Sequence, residues 1–378
     1  MSNTKDTLKI SGYDKFKCTA DKCKFTCCEG WDISIDNDTY HKWQKINGKY
    51  IIDKAKLKKC GVGKQYIINK ETHETCPLLD KQGLCQIVKD YGEEYLSLTC
   101  HTFPRVENSF DGKKELTLSC ACPEVVETIS KLNGKVKVTS ENNIDIFSEE
   151  PFELKIRETI VDIIQQEGIL LEQKLIIAYE MLIDILDDEE FSEKSISIIL
   201  DNYKSKKRLE EYVKAFKKAD LDREESMEEV NNLFIDMVEN YKHVSSLKPL
   251  LKDISILTEN MDTNIASRRW RIYKKSFEQY SDLSENCIVY KVISNCISDD
   301  IEEMTIALQL IILEYVLCRY AVFLKSEEGN ISVTDVKNYI MAFSRIIGNN
   351  ADAMIEFIKD SFEGEILEVG YLCFISLF

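Results

Sequence analysis

The amino-terminal third of the chain is crowded with cysteine. Ten of the fourteen cysteines lie within the first 122 residues, in groups that read CTADKCKFTCC, CPLLDKQGLC, TCHTFPR and SCACPE. Such thiols serve either as disulfides of a small secreted domain or as thiolate ligands of zinc or an iron–sulfur cluster. The start, MSNTKDTLKI, is charged where a signal peptide needs an apolar core, and 378 residues can bury a large core without covalent staples. We therefore predict a metal site in a cytoplasmic protein.

Charge and chain-breaking residues divide the sequence into two parts. Residues 1–125 carry a net charge of +2, and residues 126–378 carry −19. Four of the five prolines and nine of the fourteen glycines precede residue 152, which indicates a loop-rich front followed by helices. The acidic back half disfavours nucleic acid as a partner, because phosphate binding needs a positive field. We predict a mainly α protein, with a cysteine-rich metal-binding domain with short strands over 1–135 and an all-α helical domain over 136–378.

Hydrophobic periodicity predicts eight to ten helices after residue 152. The clearest lie at 153–167, 170–187, 226–242, 267–281, 301–325 and 333–346. In the front part we predict strands at WDISID, KQYIIN and KKELTLS, and helices at DNDTYHKWQKI, near EEYLSL and from Pro123. The most apolar segment, IALQLIILEYVLCRYAVFL, is interrupted by Gln309, Glu314 and Arg319. A membrane-spanning helix tolerates few charges, so we predict a buried central helix and no membrane partner.

The spacing of the cysteines leaves the kind of metal open. Zinc ribbons usually carry two C-x2-C pairs, whereas the first group here has spacings of four, three and zero. Cys27 and Cys28 are adjacent, so in extended backbone they would point to opposite faces. The C-x3-C-x2-C motif of radical S-adenosylmethionine enzymes would need a cysteine where Gly30 stands. No G-x-G-x-x-G follows a clear strand, which disfavours a Rossmann cofactor site.

The order of the cysteine groups resembles that of the flagellin lysine-N-methylase family, which is related to the zinc- or iron-chelating cysteine-rich domain family. The resemblance covers about residues 14–130 and continues weakly in SENCIVYKVI and VKNYIMAFSRIIGNN. It implies methyl transfer from S-adenosylmethionine to lysine of a flagellin-like protein, supported by a cysteine-bound [4Fe–4S] cluster, with zinc as the alternative. The metal ligands that it implies are Cys18, Cys23, Cys27, Cys28, Cys76, Cys85, Cys100 and Cys122. Cys120, beside Cys122, departs from the family pattern.

Four further residues are candidates for the chemistry of such a site. Arg105 follows Cys100 closely and could clamp the carboxylate of S-adenosylmethionine, or could instead pair with Glu124. Trp31 could form a wall of the cofactor site or belong to the core. A lysine amine attacks only when it is neutral, so a base is needed, and Asp32 and Glu124 are the candidates. Glu124 could equally stabilise the start of a helix.

Two other functions are compatible with the same residues. A zinc or iron site could merely hold a loop-rich domain against a helical interaction scaffold, without catalysis. Exposed thiols could also act as a redox sensor. The later cysteines, Cys287, Cys296, Cys318 and Cys373, lie in helical apolar patterns and are predicted to be core residues.

Overall fold

Helices make up most of the chain, and the predicted mainly α class is confirmed. The computed structural model describes residues 7–46, 48–60, 63–70, 75–110, 113–140, 151–327, 329–362 and 368–378. The front part contains α1 (Asn37–Lys45), α2 (Lys49–Ile52), α3 (Gln86–Tyr91), α4 (Leu98–Thr102) and α5 (Pro123–Ser130). The described residues after 150 form α6 (Phe152–Ile164), α7 (Leu171–Leu186), α8 (Glu193–Lys204), α9 (Lys206–Lys218), α10 (Arg223–Tyr241), α11 (Lys248–Glu259), α12 (Thr263–Phe277), α13 (Ser281–Asn295), α14 (Ile301–Lys325), α15 (Val333–Ile346), α16 (Ala351–Phe362) and α17 (Val369–Leu377).

The strands of the described residues form two small sheets. They are β1 (Thr7–Ile10), β2 (Ser34–Ile35), β3 (Ala55–Cys60), β4 (Gly63–Ile68), β5 (Arg105–Phe110), β6 (Lys113–Leu118) and β7 (Val138–Ser140). One sheet has the order β5-β6-β1-β7, in which β1 is parallel to β6 and antiparallel to β7. The other is antiparallel with the order β2-β4-β3. The sequence predicts β2, β4 and β6 but misses the other four, which are short or rich in charged residues.

Helix α14 lies at the centre of the helical part, where it packs against α7, α13 and α15. Its composition and length would suit a membrane span, but 89% of its most apolar window is buried by the protein itself. The two charged residues that interrupt its apolar sequence each form an ion pair inside the core. Glu314 pairs with Lys291 of α13, and Arg319 pairs with Glu172 of α7 at 3.0 Å. This helix is therefore the buried central helix that the sequence predicts.

The larger sheet and the helices share one apolar core. Ile10 of β1 and Leu118 of β6 belong to the same buried cluster as α6, α7, α13, α14 and α15. Glu115 of β6 forms a buried bidentate ion pair with Arg157 of α6, with N···O distances of 2.8 and 2.6 Å. The smaller sheet covers a second cluster, centred on Trp43, which packs against several cysteines. The division of the chain at residue 135 stays a prediction.

Three of the four later cysteines are confirmed as core residues. Cys287, Cys296 and Cys318 are buried in the large cluster, and Cys373 is partly buried against it. All thirteen cysteines whose side chains are described are free thiols. The side chain of Cys60 lies outside the described part of the chain.

Candidate metal and substrate site

Five cysteine side chains border a cavity of about 160 Å³, which we call the inner thiol cavity. They come from four separate stretches of chain, and the remaining wall is mainly apolar and aromatic. Buried apolar surroundings exclude water and strengthen any charge interaction inside. The five residues are Cys27, Cys28, Cys76, Cys85 and Cys100.

Short backbone contacts bring these cysteines together. The amide of Cys76 donates to the carbonyl of Cys28 at 3.0 Å, which joins the second cysteine group to the first. Cys85 immediately precedes α3, and Cys100 lies in the first turn of α4. Ser97 caps α4 by accepting a hydrogen bond from the amide of Cys100 at 3.3 Å. The thiols are therefore positioned by turns and helix starts.

A second and larger cavity of about 450 Å³, the outer thiol cavity, lies beside the first. Cys18, Cys23 and Cys122 border it, and Cys122 immediately precedes α5. Cys85 and the adjacent residues Cys27 and Cys28 border both cavities. The sequence suggested that these neighbours would face opposite sides, but the chain forms a turn here instead of a strand. They therefore form part of the wall that the two cavities share.

Burial opposes ionisation of most of these thiols. It raises the pKa of both Cys100 and Cys122 to about 12, and it also raises the pKa of Cys76. Cys27 is different, because a hydrogen bond with the Cys28 thiol lowers its pKa to about 6. The same hydrogen bond, with burial, raises the pKa of Cys28. A thiolate is the form that binds metals, so most of these groups need nearby positive charge in order to act as ligands.

Arg345 of α15 supplies positive charge and also ties the cysteine loops to the helices. Its side chain is fully buried. Its guanidinium donates to the carbonyls of Thr26 at 2.7 Å and Phe25 at 3.2 Å, and to that of Ala121 at 2.9 Å. One side chain thus holds the loop of Cys27 and the loop of Cys122 together. The sequence analysis missed this residue, although a lone arginine in the apolar run IMAFSRII is a signal that could have identified it.

The thiols are not arranged around a single point. Within the described ranges, no group of three His, Cys, Asp or Glu side chains is placed to hold a metal ion. Tetrahedral zinc holds sulfur at about 2.3 Å, which puts its ligands within roughly 4 Å of one another. In a [4Fe–4S] cluster each thiolate binds a different iron, so the ligands stand farther apart. The inner thiol cavity offers five thiols, which are enough ligands for either a zinc ion or a [4Fe–4S] cluster.

The two predicted cofactor-binding residues, Trp31 and Arg105, have different surroundings. Trp31 is partly buried, donates to the carbonyl of Cys27 at 2.9 Å and packs 5.5 Å from the ring of Phe103. Its indole borders the inner thiol cavity. Arg105 is exposed at the start of β5, and its guanidinium lies 5.1 Å from the centre of the Phe16 ring. Trp31 therefore lies beside the thiols, whereas Arg105 lines neither thiol cavity.

The two predicted bases have different surroundings. Glu124 borders the outer thiol cavity and accepts a hydrogen bond of 3.4 Å from Thr19. It also lies in the first turn of α5, where the helix dipole favours a carboxylate. Asp32 is exposed, forms an ion pair with Lys58, and borders neither thiol cavity. Only Glu124 is therefore placed beside the thiols.

A third cavity of about 260 Å³, which we call the charged pocket, lies between part of the cysteine-bearing segment and helices α13, α14 and α15. Trp31, Phe103 and Arg105 line one side, and the buried pair Lys291 and Glu314 lines the other. Trp31 and Phe103 also line the inner thiol cavity. The two cavities are thus separated by an aromatic wall. The sequence analysis did not single out Lys291, and it treated Glu314 only as an interruption of an apolar helix.

The helical part of the chain is similar to a known family of proteins. The sequence model of the FliB lysine N-methylase C-terminal domain matches residues 157–375, which is more than half of the chain. The chain belongs to this family. The resemblance inferred from the cysteine order is thereby confirmed, and the FliB-type match falls on the helical part that carries Lys291, Glu314 and Arg345.

Curated relatives are similar over a shorter stretch. A lysine-N-methylase of Salmonella typhimurium is 33% identical over 120 residues, which are 30% of this chain and 30% of that protein. The flagellar biosynthetic protein FliU of Salmonella muenchen is 34% identical over 119 residues, or 30% of this chain and 70% of its own length. The chain thus matches about 30% of the length of the lysine-N-methylase. No solved structure matches this FliB-family chain.

Proposed function

We propose that the protein is a protein-lysine N-methyltransferase that uses S-adenosylmethionine and carries an iron–sulfur cluster. Membership of the FliB lysine N-methylase family is the observation that carries the methyltransferase assignment. The convergence of cysteines on two adjoining cavities supports the cluster. Trp31 borders the inner thiol cavity and Glu124 borders the outer one, so an aromatic wall for the methyl donor and a base for the amine lie beside the thiols.

The proposed reaction is a direct transfer of the methyl group. The lone pair of a neutral lysine amine attacks the methyl carbon of the sulfonium, an N–C bond forms and the S–C bond breaks. The products are methyl-lysine and S-adenosylhomocysteine, and the proton of the amine passes to a base. Because a free lysine has a pKa of about 10.4, little of the amine is neutral at neutral pH, and a base near the site takes the proton that the amine must lose. No external oxidant or reductant is required.

We expect Glu124 to be that base and Asp32 to have no part in the reaction. Glu124→Gln should lower the methylation rate by about 100-fold, the lower end of general-base effects, because the amide cannot take the proton. Asp32→Asn should change the methylation rate by less than about twofold, since the exposed ion pair of Asp32 with Lys58 contributes little stability. Single-turnover assays with labelled S-adenosylmethionine measure both. Equal losses in the two variants would contradict this assignment.

The residues that would hold the cluster are Cys28, Cys76, Cys85 and Cys100. Together they supply four thiols, the number that a [4Fe–4S] cluster takes. The cluster would provide positive charge that offsets the burial of these thiolates and would join the separate stretches that carry them. Cys18, Cys23, Cys27 and Cys122 border the outer thiol cavity and form a second set of potential ligands.

Replacement of any one of the four proposed cluster ligands by alanine should remove most of the iron. Each of Cys28→Ala, Cys76→Ala, Cys85→Ala and Cys100→Ala takes away one of four ligands, so the iron and acid-labile sulfide of anaerobically purified protein should fall by more than half. Cys318→Ala is the matched control, because this thiol is buried in the helical core. It should lose only packing energy, about 1 kcal/mol or more.

Two results would count against the cluster. Colourless protein with stoichiometric zinc would support the non-catalytic module instead, and full iron content in all four variants would show that the ligands are other residues. Parallel replacement of Cys18, Cys23, Cys27 and Cys122 determines whether the outer set binds metal. We expect the variants of these four outer cysteines to keep their iron, whereas the variants of Cys28, Cys76, Cys85 and Cys100 lose it.

The proposed substrate is a lysine of a flagellin-like protein. The relatives named lysine-N-methylase and flagellar biosynthetic protein support this choice. The net charge of −19 after residue 125 also favours a lysine-bearing surface. Labelled S-adenosylmethionine should transfer its methyl group to flagellin and not to flagellin whose lysines have been acetylated. Transfer that is equal on both proteins would exclude lysine as the target.

A further inference from the structure

The charged pocket contains a cation and an anion that are both withdrawn from water. The side chain of Lys291 is 11% exposed and that of Glu314 is 2% exposed, and both face the same cavity. Burying an ion pair in a core removes solvation from both charges and often brings no net stability over apolar residues. A buried pair that borders a cavity of about 260 Å³ is therefore better explained by a ligand than by stability alone.

The same pocket has an unpaired hydrogen-bond donor. The side-chain nitrogen of Asn349 is buried and has no hydrogen-bond partner among the residues that the structure describes. Buried polar atoms are nearly always paired, so an unpaired donor at a cavity wall indicates a missing acceptor. The adjacent Gly348 approaches so closely that a Cβ there would lie 2.9 Å from a carboxylate oxygen of Glu314. The backbone thus fits closely around the buried carboxylate.

These groups match the two charges of an α-amino acid. An α-carboxylate would accept hydrogen bonds from Lys291 and Asn349, and an α-ammonium would donate to Glu314. Each charge of the ligand would then lie beside a protein charge of opposite sign. A lone lysine ammonium fits less well, because it would bring a second cation next to Lys291 and leave the amide of Asn349 without an acceptor. The volume, just below the usual range of about 300–1,000 Å³ for ligand pockets, suits part of a larger molecule.

We propose that the charged pocket binds the amino-acid end of S-adenosylmethionine through Lys291, Glu314 and Asn349. This proposal rests on the proposed function, because it takes S-adenosylmethionine as the methyl donor. The aromatic wall of Trp31 and Phe103 places the ligand next to the inner thiol cavity. The pocket thereby joins the cysteine-bearing segment to the helices of the FliB-type match.

The test compares two ligands that differ in the amino-acid end. S-adenosylhomocysteine retains that end, whereas 5′-methylthioadenosine keeps only the nucleoside and the thioether. Calorimetric titration of the full, anaerobically purified chain should show that the first binds more tightly than the second. Lys291→Met and Asn349→Ala should each weaken S-adenosylhomocysteine about tenfold, the effect of one hydrogen bond to a charged group, and leave 5′-methylthioadenosine unchanged.

Two variants and one control keep the outcome interpretable. Asn349→Ala breaks no ion pair, so it tests the pocket even if Lys291→Met fails to fold. Lys174→Met removes a lysine from another buried pair, with Glu285, and should leave both affinities unchanged. Equal affinities in wild type and in folded Asn349→Ala would overturn the proposal and leave the methyltransferase function standing. Wild-type protein that binds neither ligand would overturn both.

Discussion

Replacement of Arg345 by methionine should lower the free energy of unfolding by about 3–5 kcal/mol, since each hydrogen bond to a charged group contributes about 1.5–3 kcal/mol. The guanidinium makes three such bonds, to the carbonyls of Phe25, Thr26 and Ala121. Methionine fills similar space but removes the guanidinium donors from all three carbonyls. Relief of the desolvated charge offsets part of the loss, so the expected value is below the sum of three bonds. Urea denaturation followed by circular dichroism measures it.

The same variant should also loosen the cysteine loops. Without the tie between the loop of Cys27 and that of Cys122, thiol labelling of folded protein should become faster at both positions. Arg345→Lys should fall between wild type and methionine, because an ammonium can reach some of the carbonyls. Arg271→Met, at an exposed position of α12, is the control and should change stability by less than about 0.5 kcal/mol. A loss of similar size in both methionine variants would show that the tie has no special role.

Replacement of Glu115 by alanine should cost about 3–5 kcal/mol, the range for breaking a buried ion pair from one side. The carboxylate is fully buried and receives both guanidinium nitrogens of Arg157, at 2.8 and 2.6 Å. Its removal leaves a cation in the core with a carbonyl, that of Ile293, as its remaining acceptor among the contacts described. Because the pair joins β6 to α6, the loss should appear in the unfolding of sheet and helices together.

A double variant separates the charge from the packing. Glu115→Leu with Arg157→Met removes both charges, and its loss should be smaller than that of Glu115→Ala alone. Glu107→Ala, which breaks the exposed pair with Lys114 on the neighbouring strands, should cost less than about 1 kcal/mol. Unfolding is followed by far-ultraviolet circular dichroism and by tryptophan fluorescence. Two separate transitions in the wild type would contradict a core shared by the sheet and the helices.

The helices of the back part were predicted in part, because their signal is local: the sequence predicts eight to ten after residue 152, whereas the described residues form twelve. The predicted segment 301–325 agrees with α14 at both ends, and 333–346 agrees with α15. Asp300 and Ser332 cap these helices, and both are of the residue types that favour such positions. Strands β1 and β7 were missed because their pairing involves residues more than a hundred positions apart. Nothing in four or three residues of sequence indicates such a partner.

The sequence by itself determined the helical class, the family and the set of thiols available as ligands. These follow from residue type, order and short-range spacing, which a chain carries before it folds. Only the tertiary structure showed which thiols share a cavity, that Arg345 joins two cysteine loops, and that Lys291 and Glu314 face a pocket. The physical reason is that burial and charge pairing depend on distances between segments far apart in sequence. Those distances are set by the packing of the whole core.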